Sequence, residues 1–244
     1  MPTGGRRGGV RLLSFTAGGD YQGMPQVITL EMYFQHMKNY NFLVVDPDSR
    51  AAVIVDPAWE IDKVDHALID AEAKLHGVLV THAHPDHIHL AAALAAKYDC
   101  PIWMSNAEIE VSGYRARQLV GIDAQPWHVG GLRVQPLPTP GHTPGSCCFL
   151  IGDNLFTGDT LFAEGCGLCP DTQAAHQLFT SLQYLKAHLA PHTRVFPGHS
   201  YGRPPGQPFA LLLRENIYLQ FTDKHAFAAF RLRRRHMPLN LFGQ

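Results

Sequence analysis

The chain has 244 residues, of which 45% are hydrophobic and 17% charged, with a formal net charge of −1. This balance suits one large globular domain rather than two small ones. There is no apolar run of about 18 residues to span a membrane, and the near-neutral charge gives no global electrostatic case for binding nucleic acid or a membrane.

Residues 1–26 are Gly-rich with two early arginines and lack the apolar core of a signal peptide. They read as a flexible N-terminal tail, with Met24 as an alternative start and the cytoplasm as the expected location. From residue 27 the pattern becomes regular. VITLEMYFQ alternates loosely, and NFLVVD and AAVIVDP are apolar runs parted by PDS, which predicts strands joined by a tight turn. Ile61, Val64, Leu68 and Ile69 recur on one face of a helix. HGVLVTH reads as a buried strand ending at His82, residues 87–97 as a helix, PIWMS as a short strand and residues 106–119 as a helix. LRVQPLP, SCCFLI and NLFTGD read as further strands. Leu178, Leu182, Leu185 and Leu189 mark a helical face. TRVFPGH is another strand ending at a histidine, and residues 208–220 predict the last substantial helix. Strands in clusters interleaved with helices predict an α/β sandwich, two sheets between helical layers. Residues 27–244 form a single domain in this reading, with 200–244 as a short helical appendage.

The cysteines number five, and two of them, Cys147 and Cys148, are adjacent. An odd count argues against a secreted disulfide framework. Cys166 and Cys169 form a lone C-x-x-C, for which small buried thiols near a turn are a simpler reading than zinc or redox chemistry. Arg231, Arg233, Arg234 and Arg235 cluster near the end of the sequence, as a solvated basic tail or a docking patch for an acidic partner.

The stretch THAHPDHIHL, residues 81–90, is the densest chemistry. His82 and His84 alternate with Ala83, so an extended segment aims both to one side. Asp86 and His87 follow at a helix start, where Pro85 fits the first turn and a carboxylate is electrostatically favoured. VLVTHAH, LPTPGH, LFTGD and VFPGH all place ligand types just beyond a strand, so strands ending together would gather them at one sheet edge. With His142, Asp159 and His199 the set reaches seven, enough for two sites for zinc, iron or manganese. His89 falls outside the set, as a supporting or helix-face residue. His36, Asn39 and Tyr40 would line a substrate groove or belong to an ordinary strand edge. Asp56 is placed to support a ligand by a hydrogen bond or to cap a turn. His188 and His192 read as surface residues.

H-x-H-x-D-H, then a histidine, then G-D, then G-H resembles the signature of the metallo-β-lactamase superfamily across residues 27–200. The resemblance implies a four-layer αββα sandwich with two metal ions at the sheet edge, Zn2+ above all, with Fe or Mn as alternatives. Carried over by position, His82, His84 and His142 would hold the first ion and Asp86, His87 and His199 the second. Asp159 would bridge them, and Asp86 and Asp159 would be the catalytic carboxylates. A bridging aspartate argues against the antibiotic-degrading branches, which place Cys or Ser there.

FTGDTLFAEGCG looks like the glyoxalase II-type thioester hydrolases. HMKNYNFLV, EGCGLCPD, PGHSYGRPPG and RENIYLQF are similar to the zinc-dependent acyl hydrolases encoded with trans-acyltransferase polyketide synthases. That resemblance implies an acyl carrier protein or acyl-phosphopantetheine thioester as substrate, and no nucleic-acid or membrane partner. Leu168 stands where glyoxalase II usually carries a basic glutathione-binding residue, and only residues 200–244 follow His199. The glutathione pocket is thus expected to be incomplete. The competing readings are glyoxalase II itself, an iron-dependent persulfide dioxygenase, and a non-catalytic carrier-protein-binding module using the Arg231–Arg235 stretch. A nuclease is least supported, for want of a basic surface.

Overall fold

In the computed structural model, the described residues are 23–233. Most of the expected N-terminal tail, and Arg234 and Arg235, lie outside them. β1 (Gln26–Phe34) and β2 (Met37–Val45) form an antiparallel hairpin, and β2 turns through Pro47–Arg50 into β3 (Ala51–Val55). The chain then alternates helix and parallel strand: α1 (Ile61–Asp70), β4 (Lys74–Val80), α2 (Pro85–Ile88), α3 (Ala91–Tyr98) and β5 (Ile102–Ser105). α4 (Asn106–Ser112) and β6 (Leu119–Ile122) complete a six-stranded sheet in the order β1 to β6.

The second sheet starts with β7 (Trp127–Val129), β8 (Leu132–Pro138), β9 (Cys147–Ile151) and β10 (Asn154–Gly158). α5 (Thr172–His188) crosses to β11 (Arg194–Pro197), parallel to β10, and β12 (Gln207–Pro208) closes the sheet. α6 (Phe209–Glu215), a 3-10 turn at Ile217–Leu219 and α7 (Lys224–Leu232) follow. No helix among the described residues is long and apolar enough to cross a membrane.

The core lies in three layers, which makes this the expected αββα sandwich of the metallo-β-lactamase fold. Strand alternation assigns the layers. Leu43, Val45, Ala52 and Ile54 face α1 and α3, while Phe42, Val44, Val53 and Val55 face the second sheet. Both faces are buried, so NFLVVD and AAVIVDP read as unbroken apolar runs rather than alternating ones. Phe42 meets Phe156 and Phe196 of the second sheet at ring separations of 5.5 and 5.4 Å. Emptying such a site by Phe→Ala typically costs about 3–5 kcal/mol. Cys147 points into the inter-sheet layer and Cys148 to the helices outside, so the adjacent pair serves two cores.

Several expectations need correction. The helix expected over 106–119 ends at Ser112, because Gly113 adopts the left-handed cap (φ 67°), and residues 113–118 form a loop that leads into edge strand β6 at Leu119. Ile69 is 70% exposed, and Ala67 takes its place beside Val64 and Leu68 on the buried face of α1. The helix over 87–97 is two, α2 and α3. The helix over 208–220 stops at Glu215, and the Asn216 side chain caps the 3-10 turn by accepting from the Tyr218 N–H. α7, N-capped by Asp223, was not anticipated; Phe227 and Ala228 bury it in the outer core with α5 and α6. α6 and α7 therefore pack with α5 in the fourth layer.

Candidate metal centre

The strand registers gather the site. β3 and β4 run parallel with Val55 opposite Leu79, so Asp56 and Thr81–His84 emerge at the same edge. β10 and β11 run parallel with Gly158 opposite Pro197, so Asp159 and His199 emerge together. Backbone bonds sew the two edges to each other: Tyr40 N–H to Gly198 O (2.9 Å) and Cys147 N–H to Thr81 O (2.9 Å). The sheet-end glycines are needed for this approach. A Cβ on Gly198 would lie 2.4 Å from the His87 ring, and one on Gly158 would lie 2.1 Å from Thr81 Oγ1.

All seven predicted residues meet at this edge, in two clusters. In the first, His84 Nδ1 lies 3.0 Å from both His82 Nε2 and His142 Nε2. In the second, Asp86 Oδ2 lies 3.3 Å from His199 Nε2 and 3.7 Å from His87 Nε2. Asp159 stands between them: Oδ1 is 3.4 Å from His87 Nε2 and 3.5 Å from His199 Nε2, and Oδ2 is 3.6 Å from His142 Nε2.

Metal ions fit this arrangement. Nitrogens that share one zinc at about 2.0–2.1 Å lie roughly 3–3.5 Å apart, close to the spacing of the first cluster. In the second, His87 Nε2 and Asp159 Oδ1 are buried with no hydrogen-bond partner. Leaving such atoms unsatisfied costs about 1–3 kcal/mol each, and a divalent cation supplies the missing partner.

The far sides of the rings decide which nitrogen is offered. His87 Nδ1 bonds Asp56 Oδ2 (2.9 Å), His142 Nδ1 bonds Leu168 O (2.9 Å), His199 Nδ1 bonds Lys38 O (3.3 Å) and His82 Nδ1 bonds Thr81 Oγ1 (3.0 Å). Those four rings present Nε2, and only His84 presents Nδ1. Asp56 also lies near His82 and His87 as a possible third metal trio. Its oxygens are already committed to the Thr81 N–H (2.8 Å), the Thr81 hydroxyl (2.6 Å) and His87, so it orients ligands instead.

Electrostatics keep both carboxylates and His82 in metal-ready states. Burial works against the Asp159 carboxylate, but His87, His199 and His142 outweigh it and hold Asp159 below its ordinary range. Asp86 is likewise depressed against its burial, chiefly by His199, His87 and Asn39. Burial, then the neighbouring histidines, keeps His82 neutral. Burial opposes charge on His87, yet Asp159 and Asp56 drive its pKa upward, so a proton or a cation is drawn to that position.

The remaining expectations resolve individually. Asn39 is buried and donates to Asp86 O (2.6 Å) and Oδ2 (3.3 Å), supporting a cluster residue rather than lining a groove. Tyr40 is buried against Phe42, and His36 is exposed on the hairpin turn. His89 accepts from the Trp59 N–H (3.3 Å) outside both clusters. His188 and His192 are surface residues bonded to Tyr184 O and Asp153. Cys166 and Cys169 are free thiols, and burial pushes both up in pKa, Cys169 to about 11, which fits the reading as buried thiols.

Arg231 departs from the basic-tail reading, whereas Arg233 is exposed as that reading expects. Arg231 donates from Nε to Gly167 O (2.7 Å) and its guanidinium lies 5.7 Å from the Tyr218 ring centre. It thereby pins the loop whose next carbonyl, at Leu168, receives His142. Sequence reasoning missed this anchor, and it missed Thr81 and Glu108. Only the Ser105-x-x-Glu108 capping pattern offered a signal for the last.

Residues 38–199 match the family model described as the metallo-beta-lactamase superfamily. Over 216 residues, 88% of this chain and 96% of the relative, the sequence is 43% identical to a Bacillus velezensis protein named "Probable polyketide biosynthesis zinc-dependent hydrolase BaeB". It is 34% identical to a hydroxyacylglutathione hydrolase of Pelagibacter ubique over 67% of each chain. Among solved structures, ETHE1 from Myxococcus xanthus superposes with a TM-score of 0.73 at 30% identity, covering 84% of this chain and 89% of that one. Family model, relatives and layered fold agree: this chain belongs to the metallo-beta-lactamase superfamily.

Proposed function

We propose that this protein is a dinuclear metal-dependent hydrolase of acyl thioesters, acting on acyl groups carried by an acyl carrier protein in polyketide biosynthesis. The observation that carries the chemistry is Asp159, whose two oxygens face separate clusters. The similarity to BaeB, over nearly its whole length, supports zinc and a polyketide context.

Two zinc ions would supply Lewis acidity at the thioester carbonyl and a water acidic enough to be a nucleophile near neutral pH. His82, His84 and His142 would hold one ion, Asp86, His87 and His199 the other, and Asp159 both. The chain's part is to fix these groups. Asp56 and the Leu168 and Lys38 carbonyls lock the ring orientations, and Asn39 steadies Asp86. With only Asp86 and Asp159 as acidic ligands, the site keeps net positive charge, which favours an anionic transition state. A thiol of pKa about 8.5 leaves as thiolate, so no side chain need act as general acid.

Leu168 favours a pantetheine arm over glutathione. It is 73% exposed, so position 168 offers an apolar side chain rather than a cation to glutathione's carboxylates. The carrier-binding-module reading is weakened, because Arg231 is engaged within the fold. The deciding assay sets purified protein against acyl-carrier-protein, pantetheine and glutathione thioesters, with metal content and oxygen uptake measured in parallel. Fastest turnover of carrier or pantetheine thioesters with two ions per chain is expected. Preference for glutathione thioesters would return the glyoxalase II reading, and oxygen consumption with one iron the persulfide dioxygenase reading.

A further inference from the structure

Glu108 is one of the most deeply buried acidic residues of the molecule, at 2% exposure, and nothing in the proposed chemistry uses it. It sits in α4, outside both clusters. Its Oε1 accepts the Ala83 N–H (2.8 Å), and Ala83 is the residue between His82 and His84. Its Oε2 accepts the Thr143 hydroxyl (2.6 Å), and Thr143 follows His142. One carboxylate thus ties together the two segments, one from each sheet, that carry the first cluster.

We propose that Glu108 is a positioning residue for the first metal: it holds the His82–His84 segment and the His142 loop at the separation that one ion requires. This rests on the two-metal reading above.

The surroundings are built for that role. Ser105 caps α4 by accepting the Glu108 N–H (3.0 Å) and donates its own hydroxyl to Gly145 O (2.6 Å), so the helix start grips the His142 loop a second time. Gly145 lets the loop close on the helix, since a Cβ there would lie 2.1 Å from Glu108 N. Ser146 extends the grip by accepting the Thr143 N–H (3.1 Å) and sharing a hydroxyl contact with Thr143 (2.7 Å). Among the described residues no basic side chain pairs with Glu108; both of its partners are neutral donors. A buried carboxylate satisfied only by neutral donors is costly to keep, and apolar packing of equal volume would serve plain stability better. What the carboxylate adds is two acceptors, aimed at two different ligand-bearing segments. An amide offers one acceptor and turns its NH2 toward the other donor.

The test is a chelator titration of the two-zinc protein, with zinc release and folding followed together. In Glu108→Gln, one ion is expected to leave at roughly 10-fold lower chelator concentration or less, the range typical of lost supporting contacts. The other ion should keep its parental midpoint. Thr143→Val, which removes one of the two bonds, should shift the same ion by less. Repeating Glu108→Gln in a His199→Ala background, where only the first cluster is complete, should preserve the shift; in a His142→Ala background it should vanish. Superimposable parent and Glu108→Gln curves overturn the proposal. So does equal weakening of both ions accompanied by a lower unfolding midpoint of the metal-free protein, which would make Glu108 merely structural. A parent chain that holds fewer than two ions overturns the two-metal reading instead, and does so before any variant is made.

Discussion

The two ligand clusters are built differently. The second is rooted in strand ends of the first sheet: Asp56 at the end of β3 holds His87, Asn39 of β2 holds Asp86, and the Lys38 carbonyl of β2 receives His199. The first, like the second, draws ligands from both sheets, but it hangs on loops. His82 and His84 follow β4, His142 sits between β8 and β9, and the supports are Glu108 and a loop carbonyl braced by Arg231. A cluster anchored to strand ends is fixed once the two sheets pack. A cluster anchored to loops depends on separate clamps, so side chains far from it should adjust its affinity.

The contrast can be broken most severely where the clusters join. Asp159→Ala removes the shared carboxylate, and thioester hydrolysis should fall by at least about 10²–10³-fold, with metal content dropping below two ions. Full rates in a metal-loaded variant would dismiss the bridging role.

Asp56→Ala tests the sheet-anchored side. It strands three buried donors, the Thr81 N–H, the Thr81 hydroxyl and His87. Stability should fall by about 3–5 kcal/mol, measured by denaturant unfolding of the metal-free protein, and the second ion should weaken most. A loss confined to the first ion would reverse the assignment of supports.

Arg231→Ala tests the loop-anchored side. It frees Gly167 O and loosens the loop that receives His142. Chelator midpoints should show about 10-fold weaker binding of the first ion, the low end of the about 10–100-fold range for such contacts, with the second unchanged. The smallest expected effect is Leu168→Arg. It should improve KM for glutathione thioesters a few-fold and leave carrier-protein turnover nearly unchanged, because the Leu168 backbone carbonyl still receives His142. No change in glutathione KM would show that residue 168 does not contact the thiol arm.

The seven cluster residues were legible because their signals are local: each follows an apolar strand run, and histidine and aspartate are unusual there. The layered fold was legible for the same reason, since both apolar runs of the first sheet and the leucine stripe of α5 are local patterns. The failures share a cause. Ser112 ends α4 through the conformation of Gly113, Ala67 rather than Ile69 is buried on α1, and α7 is a short run whose Phe227 and Ala228 are buried only by packing with α5.

By itself, the sequence determined which residue types stand at the ends of the strands, because short-range periodicity and spacing encode strand, turn and ligand together. Only the tertiary structure decided which ring nitrogen each histidine offers and what holds it there. Asp56 meets His87 across 31 residues, Glu108 meets Thr143 across 35 and Arg231 meets Gly167 across 64. Contacts over such distances follow from how sheets and helices pack, and no local pattern specifies them.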